Sequence, residues 1–309
     1  MPASPARLSV VLGTLNRLDS LKRCIDSIFA ETRTPTVVYV TDAGSTDGTV
    51  EYLQSIASDR LVPLLIGKRL GQARAYNDVF ETVQTEYVVW ISDDNEVVNH
   101  GLDLGVQALD ANPKLGMVGI KVHDVEGPFV DAPYLGAVST IGVLNVNQGM
   151  LRTRVIQKLG GFSERFRDYG IDPDLTARVL FSGWQVAFTR EVGIHHYRDW
   201  SDTPKPGSTQ FERQREYTAL YAAKWGTYAP PDRLWLLRKR GWDLFQRRTG
   251  LRINSHEQIL GMNGRDWCNL WTSRYVSPLD PILTHNRPYH LVQYPPPAFL
   301  RRPLPPEPA

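Results

Sequence analysis

The sequence predicts an α/β fold, a mostly parallel sheet with helices on both faces. Over the first two-thirds, short β-branched runs alternate with stretches whose apolar residues recur at three and four, the periodicity of a helix face. Several of the β-branched runs also end on polar or acidic residues, and open parallel sheets bind ligands at the carboxyl ends of their strands.

The first strand is "LSVVLGT" (8–14), followed by "LDSLKRCIDSIFAE", a helix with Leu18, Leu21, Ile25, Ile28 and Phe29 on one face. "TVVYVTD" (36–42) is the second strand, and "TDGTVEYLQSIAS" a helix opening on Thr46 or Asp47. "RLVPLLIG" (60–67) is a third strand, set at an edge because Pro63 has no N–H for a neighbour. "GQARAYNDVFETV" gives the third helix and "EYVVWIS" the fourth strand. From about 123 to 150, Gly, Pro and Asp interrupt short strands; "MLRTRVIQKLG" then reads as helical, and so does the chain from Pro173. "WQVAFTREVGIHHY" reads as one or two strands. Past 200, "DWSDTPKPGST" is a loop, 209–226 and 230–248 are helical, and "QYPPPAFLRRPLPPEP" is a proline-rich tail. Residues 1–200 are therefore expected to form one α/β domain, with halves at about 7–100 and 115–200, and 201–309 to add a loop, a helical extension and the proline-rich tail.

Composition bounds the classes of function. A chain of 309 residues with 42% hydrophobic and 22% charged residues is an ordinary globular protein. A net charge of +2 gives no reason to expect nucleic acid as a partner. Cys24 and Cys268 have no metal-type spacing, and their scarcity suits a reducing compartment. "MPASPARLSVVLG" lacks a secretory pattern, and no window approaches a membrane span. The expectation is a cytoplasmic protein, with peripheral contact at the inner face of a membrane as an addition to it.

The strand ends carry the chemistry. In "VVWISDDNEVVNHG" a β-branched and aromatic run stops at Asp93 and Asp94. Two close carboxylates repel unless a cation is shared, and oxygen ligands suit Mg2+ or Mn2+. Solvated acids in the turn after a strand explain the same motif without function. In "VTDAGSTDGT" the helix cap accounts for Ser45 to Gly48 but not for Asp42, whose carboxylate suits a base imide. "GTLNR" adds polar side chains at the end of the first strand.

In this order and spacing, "LSVVLGTLNRLDSLKRCIDSI", "VYVTDAGSTDGT", "LGQARAYNDV", "WISDDN" and "GMLRTRVIQKLGGFSERFRDYGIDPDLTARVLFSGWQVAF" resemble family-2 glycosyltransferases of the GT-A fold, a Rossmann-like sheet. The likeness covers roughly residues 7–200. It implies an inverting, nucleotide-sugar-dependent enzyme. Thr14, Asn16 and Arg17 would border the nucleobase and ribose, and Asp42 would hold the base, uracil of a UDP-sugar. Gly71 and Arg74 would lie along the nucleotide, Asp93 at the ribose, and Asp94 on an Mn2+ or Mg2+ ion bridging the diphosphate. Asp172 would be the base that deprotonates the hydroxyl of a glycan or lipid-linked acceptor. The family's usual Glu-Asp is Ile171-Asp172 here, and Ser92 and Asn95 replace two acids of a fuller run. Those departures motivate an alternative: a nucleotide-sugar-binding scaffold that has lost catalysis.

Read without the likeness, Asp172 is an N-cap, and Asp174 is a first-turn helix acid or an acceptor contact. The likeness also implies a histidine as a third metal ligand: of His195 and His196 only one side chain of an extended pair can enter the site, position favours His195, and a histidine satisfied by local hydrogen bonds is the alternative. Trp200 and "SDTPKPG" would form a loop near the donor. "PDRLWLLRKRGWDLFQRRTG" combines Trp and Leu with Arg and Lys: a helix packed on the domain with its charges in water, or a segment lying on an anionic membrane.

Overall fold

The computed structural model describes residues 5–127, 130–198, 207–249 and 258–307. Trp200 and the loop at 201–206 lie outside the described residues.

The strands are β1 (Leu8–Thr14), β2 (Thr36–Asp42), β3 (Leu61–Leu65), β4 (Tyr87–Trp90), β5 (Asn95–Val97), β6 (Leu115–Asp124), β7 (Gly149–Arg152), β8 (Gln185–His196) and β9 (Tyr289–Gln293). They form one sheet in the order β3-β2-β1-β4-β7-β6-β8-β5. The first four are parallel, with β3 at the edge, as Pro63 predicts. β7 runs antiparallel between β4 and β6, and β6 is parallel to β8. β5 and β9 pair antiparallel with different ends of β8.

Alternation along β1 divides the core. Leu8, Val10 and Leu12 meet α1 (Leu18–Glu31), α2 (Thr49–Ser55) and, further along the same face, α4 (Gly101–Ala111). Val11 points to the other face, covered by α3 (Gln72–Phe80), α5 (Thr153–Lys158) and α6 (Ile171–Phe181). Each fully buried aliphatic side chain stabilises the fold by about 1.5–3 kcal/mol. Among the described residues, no helix is long and apolar enough to cross a membrane.

Three elements differ from the sequence reading. Residues 149–152 form β7 rather than the start of a helix, because pairing to β4 and β6 outweighs the helical spacing of "MLRTRVIQ". Gly149 is what lets the Trp90 ring lie against this strand, since a Cβ there would strike the ring. α4 and β6 complete the second half without a clear sequence signal. The segment past 200 also contributes to the main sheet and core. α7 (Thr209–Gly226) packs Tyr221 and Trp225 into the α6 core, and α9 (Gly264–Thr272) adds Leu270 to it. β9 extends the sheet where only helices and a tail are expected.

The α6–α7 junction is polar and dry. Asp174 is fully buried and accepts from Arg178 Nε at 2.8 Å, Trp225 Nε1 at 2.9 Å and Lys224 Nζ at 2.9 Å. Lys224 also reaches Glu307 at 2.7 Å, which ties down the proline-rich tail. Of the two readings of Asp174, the helix acid is the one observed; its oxygens are occupied by the core, not turned to an acceptor.

Candidate active site

The carboxyl ends of β1 and β4 are pinned together by Tyr76 of α3. Its hydroxyl accepts from the Gly13 amide at 2.9 Å and donates to the Ile91 carbonyl at 3.2 Å. Beyond Trp90 the chain turns sharply, because the Asn95 carboxamide accepts from the Ser92 amide at 3.0 Å. That turn holds the side chains of Asp93 and Asp94 against one cation. Arg17 Nη1 lies 3.1 Å from Asp93 and 3.2 Å from Asp94.

Asp94 has a second cationic neighbour. His196 Nε2 lies 3.4 Å from Asp94, and its Nδ1 lies 3.0 Å from the buried carboxylate of Asp124. Asp124 also accepts from the Tyr134 hydroxyl at 2.8 Å. Burial pushes the Asp93 carboxyl up to about 6, the adjacent Asp94 charge adding to the effect while Arg17 opposes it. Burial acts on Asp94 the same way but is outweighed by the hydrogen bond and charge of His196 and by Arg17, so its carboxyl stays below the usual range. His196 is pushed up to about 9: burial works against its charge, and the hydrogen bonds to Asp124 and Asp94 overcome it.

These residues border a cleft of about 670 Å³, an ordinary size for a small-molecule site. Thr14, Arg17, Gly71, Asp93, Asp94 and His196 all line it. Around them stand Lys68, Arg69, Arg167, Arg198 and Arg213, so basic side chains outnumber carboxylates along the wall. A cleft of that charge suits a diphosphate, which Arg recognises bidentately. Gly71 is required by the backbone: its φ is +95°, and a Cβ would strike the Arg167 side chain that crosses it.

Other expected residues do not line the cleft. Asp42 sits at the end of β2, but Oδ1 accepts from the Gly44 and Ser45 amides at 2.9 and 3.0 Å, and Oδ2 accepts from the Ser45 hydroxyl. It is buried and holds the β2–α2 turn. Asn16, at φ +52°, accepts from the Thr46 amide at 2.8 Å and stitches two strand-end turns together. Arg74 turns outward to Asp78 at 3.0 Å and Glu164 at 3.3 Å, contrary to its expected place along the nucleotide. His195 likewise corrects the expectation. In the β5–β8 register it faces Glu96, 3.6 Å away, while its neighbour faces Asp94, because successive strand residues point to opposite faces.

Asp172 is in the first turn of α6 behind Gly170, whose φ is +83°. It is half-buried, has no side-chain partner among the described residues, and is pushed up to about 7 by burial. It does not line the cleft, but Asp168 and Tyr169, just before it in the chain, do. Asp168 Oδ1 accepts from the Gln72 amide at 2.9 Å and so caps α3. Sequence reasoning passed over Asp124, Asp168, Lys68, Arg69 and Arg213. The run "GKRLG" after the third strand was a readable signal for the two loop cations; the others are brought in only by tertiary folding.

Among the described residues, no group of three acidic, histidine or cysteine side chains could hold a metal ion. Asp94 and His196 are nonetheless separated as two adjacent ligands of a single ion would be, and oxygen with imidazole nitrogen suits Mn2+ well. The pair fits such an ion provided a bound diphosphate and water complete its shell.

Comparison with known proteins agrees with this geometry. The Glycosyl transferase family 2 model matches residues 9–169, just over half of the chain. An O-antigen biosynthesis protein of Myxococcus xanthus, RfbC, is 25% identical over 223 residues, covering 63% of this chain but only 18% of that protein. An N-acetylglucosaminyl-diphospho-decaprenol L-rhamnosyltransferase of Mycobacterium tuberculosis is 26% identical over 245 residues, 65% of this chain and 79% of its own. Among solved structures, a mannosyltransferase of Pyrobaculum calidifontis in complex with GDP-Man and Mn2+ superposes with a TM-score of 0.52 at 25% identity, covering 72% of this chain and 65% of that one. S. aureus TarS 1–349 in complex with UDP-GlcNAc has a TM-score of 0.52 at 16% identity, over 68% and 65% of the two chains, and shares the fold. With strands, turns and paired acids in the family's order, the chain belongs to glycosyl transferase family 2.

Proposed function

We propose that the protein is an inverting glycosyltransferase that moves a sugar from a nucleoside-diphosphate sugar, a UDP-sugar first, to a hydroxyl of a glycan or lipid-linked acceptor. The observation that carries this is the Asp93–Asp94 pair, bridged by Arg17 and faced by His196, in a cleft otherwise walled by basic side chains. Relatives whose names include GDP-Man, UDP-GlcNAc or a decaprenol-linked substrate support a nucleotide-sugar donor and a glycan or lipid-linked acceptor.

In this reading Thr14 and the β1–α1 turn border the nucleoside, with Asp42 holding the turn that faces the base. Lys68, Arg69 and Arg213 neutralise the diphosphate, each charge-assisted contact being stronger than a neutral one. Asp94 and His196 would hold Mn2+ or Mg2+, which when bound supplies positive charge against the departing diphosphate. Asp172 takes the proton of the acceptor hydroxyl as its oxygen bonds to the anomeric carbon and the bond to the diphosphate breaks. A carboxyl raised to about 7 is matched to that task at neutral pH.

The test is release of nucleoside diphosphate from a panel of UDP- and GDP-sugars, with and without acceptor glycans, by the protein and by Asp172→Asn. Turnover that stops on substitution supports the enzyme. Tight nucleotide binding without turnover across the panel points to the scaffold reading, which Ile171 motivates.

A further inference from the structure

The outer face of α8 (Arg233–Thr249) is not used by the cleft, and its pattern is specific. One side of this helix is held to the body. Trp235 is buried and donates from Nε1 to the Thr272 carbonyl at 2.9 Å, and Trp242 stacks on Trp271 with ring centroids 5.9 Å apart. The opposite side is in water. Leu234 is 79% exposed, Leu237 64%, Leu244 50% and Phe245 48%.

At 100° per residue these four fall on one strip, centred away from Trp235 and Trp242. Arg233, Arg240 and Arg247 are seven residues apart, so they form a second line two helical turns per step, along one edge of the apolar strip. Arg248 lies within the strip, where its aliphatic stem covers apolar surface while the head reaches out. Asp243 is the helix's one acidic residue, and it belongs to the half-buried side, so the outward face carries positive charge alone.

An apolar strip edged by a row of one sign is poorly matched to water. It is equally poorly matched to a spanning role, since among the described residues no helix is long and apolar enough to cross a membrane. We infer that the outer face of α8 is a docking surface for an anionic lipid bilayer, the leucines entering the headgroup boundary and the arginine row pairing with lipid phosphates. The helix lies flat there, its inner side still packed on α9. This surface is independent of which donor the cleft takes.

Flotation of the full chain with vesicles tests it, using phosphatidylcholine alone or with about one-third phosphatidylglycerol. The expected result is capture by the anionic vesicles at low salt, weakened by high salt, with little capture by the neutral ones. Arg240→Gln should lower partitioning roughly fivefold, the contribution of one basic residue near an anionic surface. Leu237→Ser with Leu244→Ser should lower it by about tenfold or more. Nucleotide binding and melting temperature of these variants serve as the folding control, because all three side chains are exposed. No capture at low salt overturns the inference, as does capture that the double leucine variant leaves unchanged. Self-association that the same variant abolishes, without vesicle capture, assigns the face to a second copy instead and also overturns it.

Discussion

His196 is held by Asp124. The 3.0 Å contact from Nδ1 fixes the ring so that Nε2 faces Asp94 across 3.4 Å. A histidine oriented by a carboxylate in this way is the common arrangement behind a metal ligand, and loss of the orienting group costs about 10–100-fold in metal affinity. Asp124→Asn is therefore expected to weaken Mn2+ binding in the presence of UDP by that factor, read by titration calorimetry, while nucleotide binding without metal changes little. His196→Ala should have at least as large an effect and His195→Ala almost none. Equal effects at 195 and 196 would contradict the register described for β8.

If Asp172 is the base, turnover must follow its ionised form. Its carboxyl is raised to about 7, so the rate should climb as pH rises through about 7 and be low beneath it. Asp172→Asn should reduce kcat by roughly 10²–10⁴-fold. The raised value has a thermodynamic counterpart: the ionised group is disfavoured in the fold, so stability falls between the unfolded carboxyl range and pH 7. Above pH 7, Asp172→Asn should thus be the more stable protein, by about 1–2 kcal/mol after screening of a half-buried group. A variant that lost activity and stability together would mark Asp172 as structural.

Asp42 separates two roles in one assay. Removing its carboxylate frees the Gly44 and Ser45 amides, which should cost about 1–2 kcal/mol in chemical denaturation. If it also faces the base, the affinity for UDP should fall more than the affinity for inorganic diphosphate. A loss of stability with unchanged nucleotide selectivity would restrict Asp42 to the turn.

Asp174→Ala would leave Lys224 and Arg178 buried beside an empty position, and breaking a buried pair costs about 3–5 kcal/mol. The expected readout is a melting temperature lowered by several degrees or more, with release of α7 detectable as faster amide exchange around Trp225.

The parallel half of the fold was legible because its signals are local: apolar periodicity, Pro63 at an edge, glycine at strand-end turns. The acid pair at Asp93 and Asp94 was legible for the same reason, since both carboxylates lie in one turn. His196 was the harder choice of two adjacent histidines, because only the pairing of β8 with β5 decides which side each faces. Arg74 looked like a cleft residue by position, yet Asp78, four residues on along α3, and Glu164 draw it outward. Arg213 and Asp124 were not legible at all: Arg213 reaches the cleft on α7 and Asp124, at the end of β6, reaches His196, long-range placements without a local pattern.

The pairing of β9 with β8 has a practical corollary. β8 presents its outer edge to β9 near Val186 and to β5 near His196, so a fragment cut near residue 200 would leave half of that edge bare and prone to stick to other chains, and one cut at residue 169, where the family match ends, would lose β8 itself. A minimal working fragment therefore has to extend at least to Gln293, however compact the homologous part looks in an alignment.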